Sequence, residues 1–336
     1  MKLLAWVKAL GFTALGLSIL AAAIEMGDIP HTLTALDQVG WTGALGLSLW
    51  RILPVTLCAL ALWAVIPARS GASAAAAMAS RLARDGVSAL LPILPAGGEV
   101  VSTRVLTLWG VGTIPALAST VADVTLETAS QALFSVLGFV MLVMTLPSFE
   151  GREWAGLAIL PPVGLTVGLC LLQHPKVASW LARMAIKLAR QRLDTEDVTA
   201  AIAAVYAAKG RVAISTLLHF GGWLIGVGEA WLALTWMGHP LPVTNVIAME
   251  AVVFALKGVA FMIPWSMGVQ EGGYMALGVA LGIPPEVALG LSLAKRLPDL
   301  ALGVPGLLMW QWAERMHRRT QSDTAVQQPM DQPIEA

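Results

Sequence analysis

Residues 128–149 carry no charged side chain, and neither do residues 154–173. As helices, both runs are long enough to cross about 30 Å of hydrocarbon. Composition agrees: 12% of the chain is charged and 57% hydrophobic, where a soluble domain carries about 25% charged residues. The sequence therefore describes an integral membrane protein. Its 21 basic and 21 acidic residues balance, which gives no reason to expect a nucleic-acid partner. Cys58 and Cys170 both lie in apolar runs, a pattern that suggests neither a disulfide framework nor a metal cluster.

Two stretches repeat one order of parts. Residues 90–127 and 262–299 each approach through a proline (Pro92, Pro264) and reach a Gly-rich turn closed by a glutamate. The turns are Gly97-Gly98-Glu99 and Gly268-Val269-Gln270-Glu271. Each then passes a second proline break (Pro115, Pro284) into a helix that carries charges. Proline lacks an amide donor and clashes with the preceding turn. At membrane depth such breaks are tolerated only where protein or water satisfies the freed backbone. The sequence thus predicts an all-α polytopic membrane protein with about eight transmembrane helices. It places two Gly/Pro-broken, re-entrant segments, near 86–112 and 264–285, in an internal duplication.

In chain order, residues 1–24 form a first span, read as retained rather than cleaved. Residues 25–38, acidic and without Lys or Arg, form an external loop. Further spans are expected over 41–66, 113–144, 154–172, 212–237 and 243–263. Residues 174–210 form a cytoplasmic, basic amphipathic segment, suited either to anionic headgroups or to serving as a solvated linker. Pro285 opens a last helix through Lys295, Arg296 and Asp299 to Trp310 and Trp312. A single membrane domain, 1–315, is followed by a disordered polar tail, 316–336, on the inner side.

The charges inside these apolar stretches carry the functional reading. Each costs roughly 2.5–3.5 kcal/mol at a helix centre on insertion scales, so as a set they must face one another or a wet cavity. Any one alone also reads as a structural ion pair or a snorkelling side chain, Arg51 and Arg104 above all. Arg81 and Arg84 share one helix face, with Ser88 a turn further on. Asp123 and Glu127, four apart, share another and need a cation, for which Arg81, Arg84 and Arg296 are candidates. Lys295 and Asp299 can pair at i, i+4. Setting the two halves in register brings Glu127 opposite Arg296, which predicts a pair on the common axis.

No Asp-Asp-x-x-Asp, His-Glu-x-x-His, Gly-x-Ser-x-Gly or Walker A motif occurs, so no enzyme activity and no cofactor are expected. Asp123 with Glu127 is only a weak signal for a divalent ion, and no metal site is assigned.

Arg84-Asp85-Gly86-Val87, Leu90-Leu91-Pro92, Gly97-Gly98-Glu99-Val100-Val101 and Arg104 resemble the first signature of a flippase-like family. That family is typified by the membrane region of lysylphosphatidylglycerol synthase. Asp123, Thr125, Glu127, Gln131 and Phe134, then Gly268-Val269-Gln270-Glu271-Gly272-Gly273, Lys295-Arg296 and Pro305-Gly306 resemble its hopanoid-biosynthesis-associated branch. The likeness spans roughly residues 5–315. It implies lipid translocation or traffic in a bacterial cytoplasmic (inner) membrane, without aminoacylation of lipid. The expected partner is a membrane lipid with an anionic or polar head, such as a hopanoid. The alternative is a non-catalytic scaffold for lipid-biosynthesis enzymes. In the transport reading Arg81, Arg84, Arg104, Lys295 and Arg296 attract the headgroup. Glu99 and Glu271 cap the broken helices or touch the head, and Asp123, Glu127 and Asp299 complete the cavity. Gly97, Gly98, Gly268, Gly272 and Gly273 let backbone approach closely.

Overall fold

The computed structural model describes residues 28–91, 97–145, 195–260 and 263–326, with a few short pieces outside these ranges. The described residues are helical, and no strand occurs among them. In chain order the helices are α1 (Ile29–Val65), α2 (Ala74–Leu90), α3 (Gly97–Leu108), α4 (Thr113–Thr145) and α5 (Thr195–Ala207). They continue with α6 (Lys209–Trp236), α7 (Val243–Val259), α8 (Val269–Ala280), α9 (Pro285–Ala294) and α10 (Arg296–Val326).

Three of them, α1, α4 and α6, are long and apolar enough to cross a membrane. The 33 residues of α4 rise about 50 Å at 1.5 Å each. Its Pro115 lies in the first turn, where a missing amide donor costs nothing. Ser73 starts α2 by accepting a hydrogen bond from the Ala76 amide at 3.1 Å, a side-chain cap for an otherwise orphaned donor.

Both predicted broken segments contain the same succession: a helix, a break, a 12-residue helix, a second break and a further helix. The short helices are α3 and α8, and each carries its glutamate in the first turn. Prolines 92 and 95 lie outside the described residues.

Three expectations need correction. Helix begins at Ile29, inside the predicted external loop, and runs to a kink at Gly40 (φ 57°, ψ −172°) before the expected span. Pro30 at its first turn makes that start favourable. The last helix is not continuous from Pro285: α9 stops at Ala294 and α10 starts at Arg296. Finally, α10 runs on to Val326, into the stretch expected to be a disordered tail. The span at 154–172 and the basic stretch 174–194 lie largely outside the described residues, as does most of 1–24.

α1 packs along α6, α4 along α7, and α10 along α2. The α2–α10 contact is closed by small residues. A Cβ added to Gly306 would lie 2.1 Å from the Leu82 carbonyl oxygen, which is backbone and cannot yield. At Gly303 the added atom would meet side chains instead, Leu90 at 3.3 Å and Ala89 at 3.7 Å. Gly306→Ala should therefore destabilise by about 1–3 kcal/mol, the usual cost of overpacking, and Gly303→Ala by much less. Denaturation in detergent checks this, and equal midpoints for the two variants would contradict the close α2–α10 approach.

Candidate functional site

The interior charges gather into two centres. In the first, α2 presents Arg81 and Arg84 to α4. Arg81 Nη2 donates to Glu127 Oε1 at 2.9 Å, and its Nε donates to Asp85 Oδ2 at 2.9 Å. Arg84 Nη1 donates to Glu127 Oε2 at 2.6 Å and lies 3.6 Å from Asp123 Oδ2. Arg84 also reaches Glu99 Oε1 on α3, at 3.2–3.3 Å. His219, fully buried on α6, lies with Nε2 2.9 Å from Asp123 Oδ1. Two like charges on one face of α4 are thus held by two guanidiniums and an imidazole, the arrangement a low dielectric demands.

In the second centre, Arg51 of α1 forms a fork on Glu229 of α6, with Nη2 to Oε2 at 2.8 Å. Its Nη1 donates to Asp299 of α10 at 2.9 Å. Lys295, between α9 and α10, donates to Glu250 Oε2 on α7 at 2.6 Å and lies 3.5 Å from Glu229. The Tyr274 hydroxyl donates to the other oxygen of Glu250. Arg296 holds Glu271 Oε1 through Nη2 at 2.6 Å. Glu271 Oε2 accepts the Gly268 amide at 2.7 Å, so this acid caps its own helix. Gly268 has φ 77°, a left-handed value that favours glycine.

The two glutamates of the repeat have therefore diverged. Glu271 is buried and used as a cap. Glu99 pairs with Arg84 and lines a cavity. That cavity, about 690 Å³, lies where the two halves meet. Gly97, Gly98 and Glu99 line it from one half, and Trp265, Gln270 and Arg296 from the other. The Trp265 indole donates to the Ala89 carbonyl, tying the turn before α8 to α2.

Several expected pairings differ. Glu127 faces Arg81 and Arg84, and Arg296 faces Glu271, so the predicted cross-half pair Glu127–Arg296 does not form. The predicted Lys295–Asp299 pair is likewise replaced, by Lys295–Glu250 and Asp299–Arg51. The break after Ala294 removes the continuous helix on which i, i+4 pairing depends. Arg104 lies away from the cavity and pairs with Glu314 at 2.8 Å. Five positions after Glu99 on a helix of 3.6 residues per turn, it projects from a different face. Gly272 and Gly273 fall within α8, and a Cβ on Gly273 would meet Leu256 at 3.2 Å. Arg51, Glu229, Glu250 and Lys257 were recognisable as charges within apolar runs, but nothing local assigned them to the site. His219 stood out as a histidine well inside a span, a kind more often hydrogen-bonded across helices than catalytic, and it meets Asp123 across α4 and α6. Tyr274 gave no signal beyond polarity.

Helices long and apolar enough to cross a membrane, enclosing paired charges and a polar cavity, define an integral membrane protein with a charged interior. The chain belongs to the family of the lysylphosphatidylglycerol synthase TM region, whose family model matches residues 6–305. That family relates to membrane lipid handling. No curated protein and no solved structure matches the chain.

Proposed function

We propose that the protein translocates a polar-headed lipid, with the headgroup in the cavity between the two Gly-rich halves and the tail in surrounding lipid. The observation that carries this reading is the wall of that cavity. Arg51, Arg81, Glu99, Arg296 and Asp299 line it, beside Trp265 and Leu300, which are 43% and 48% exposed. Charge for a head and apolar surface for a tail therefore meet at one place. In this reading the chain is not an enzyme. The short helices α3 and α8 are re-entrant elements of an eight-crossing protein in a bacterial inner membrane. Broken helices in duplicated halves are a recurrent way to build a transport site. A hopanoid with a polar head is one substrate that this reading admits.

The test is a reconstituted liposome assay with labelled phosphatidylglycerol and a labelled polyol hopanoid. Wild-type protein should speed transbilayer movement of at least one. Gly98→Leu should abolish it while the protein still inserts, because even a Cβ there would meet Ser88 Oγ at 2.4 Å and the Arg84 carbonyl oxygen at 2.9 Å. Failure of the wild type to move either lipid would defeat the translocase reading and leave the scaffold, which moves nothing.

A further inference from the structure

The cavity wall holds four basic side chains, Arg51, Arg81, Lys257 and Arg296, against three acidic ones, Asp85, Glu99 and Asp299. The acids are all engaged: Asp85 by Arg81, Glu99 by Arg84 and Asp299 by Arg51. Behind the wall, Glu271 is taken by Arg296, Glu127 by Arg81 and Arg84, and Glu229 and Glu250 by Arg51 and Lys295. Among the described residues, that leaves Lys257 as the cation of the wall with no carboxylate within 4.0 Å.

Two weaker features account for part of its placement. Lys257 Nζ stands 5.2 Å from the centroid of the Phe254 ring, whose electron-rich face attracts a cation. It also lies in the last turn of α7, where a cation meets the negative end of the helix dipole. Neither supplies a counter-charge. A partly buried ammonium beside a polar cavity is a ready site for an anion, since a charge-assisted hydrogen bond is roughly twice as strong as a neutral one. Arg81, which also lines the cavity, has one nitrogen, Nη1, buried without an acceptor among the described residues.

We propose that Lys257 anchors a phosphate-class oxyanion in this cavity, supplied by the headgroup of an anionic membrane lipid. The inference rests on the lipid reading above only for the source of the anion. Its substrate class is thus narrower than a polar head: a phosphate-bearing lipid, with Lys257 as the residue that selects for charge.

The experiment is calorimetric titration of the full chain in uncharged detergent. The probes are dihexanoyl phosphatidylglycerol, an uncharged diacylglycerol of the same chain length, and inorganic phosphate. Phosphatidylglycerol should bind saturably and about tenfold or more weaker to Lys257→Gln, the scale of a lost hydrogen bond to a charged group. Lys257→Arg should bind within about threefold of wild type, a small fraction of that loss, and diacylglycerol binding should not respond to either change. If inorganic phosphate binds as tightly as the lipid, and with the same dependence on Lys257, the oxyanion site stands and its source is free phosphate. If Lys257→Gln binds phosphatidylglycerol as wild type does, or if wild type binds neither anion, the proposal is overturned. A purely structural role for Lys257 predicts that outcome, with a lower unfolding midpoint and unchanged binding. Lys257-dependent binding without lipid movement in liposomes would retain the anion site and remove the translocase reading.

Discussion

Glu127→Gln is expected to destabilise the protein by about 3–5 kcal/mol, the cost of breaking a buried ion pair from one side. Glu127 receives hydrogen bonds from both Arg81 and Arg84. Glutamine keeps the shape and removes the charge, so two largely buried guanidiniums lose the carboxylate they share. Unfolding in a graded detergent mixture would measure the loss. Adding Arg84→Gln should recover part of it, because contacting residues couple in double-variant cycles. Adding Arg296→Gln should give a simple sum, since Arg296 is bonded to Glu271 instead. Strong coupling between Glu127 and Arg296, with none between Glu127 and Arg84, would contradict the two-centre arrangement.

Lys295→Met should cost as much, about 3–5 kcal/mol by the same argument. Its ammonium is the cation bonded to Glu250, which has 0% exposure. Methionine fills much of the same volume but strands a carboxylate that water does not reach. Glu250→Gln in the Lys295→Met background should restore much of the stability. The neutral amide removes the unpaired charge, and its oxygen still accepts from the Tyr274 hydroxyl that now bonds Glu250. If Lys295→Met unfolds at the wild-type midpoint, the second centre contributes nothing to holding α7 against the α9–α10 junction.

Polarity along the chain determined much by itself. Charge-free runs near 30 Å long identify membrane helices, and prolines with Gly-rich turns mark where helices break. Both are local properties, and the two 12-residue helices α3 and α8 fall where those marks lie. Helical spacing also set Arg81 with Arg84, and Asp123 with Glu127, on common faces. Only tertiary structure decided which face meets which. Arg51 and Glu229 are 178 positions apart, and no periodicity relates them. The repeat suggested a symmetric partnership between Glu127 and Arg296, but each of these two finds its partner within its own half. Glu127 takes α2 arginines and Glu271 takes Arg296. The physical reason is that a buried charge accepts whichever opposite charge packing brings within hydrogen-bond reach, and packing is set by helix contacts distant in sequence. The same holds for Lys257, which reads in the sequence as one more intramembrane lysine. Its lack of a carboxylate partner became visible only once the partners of every neighbouring charge were known.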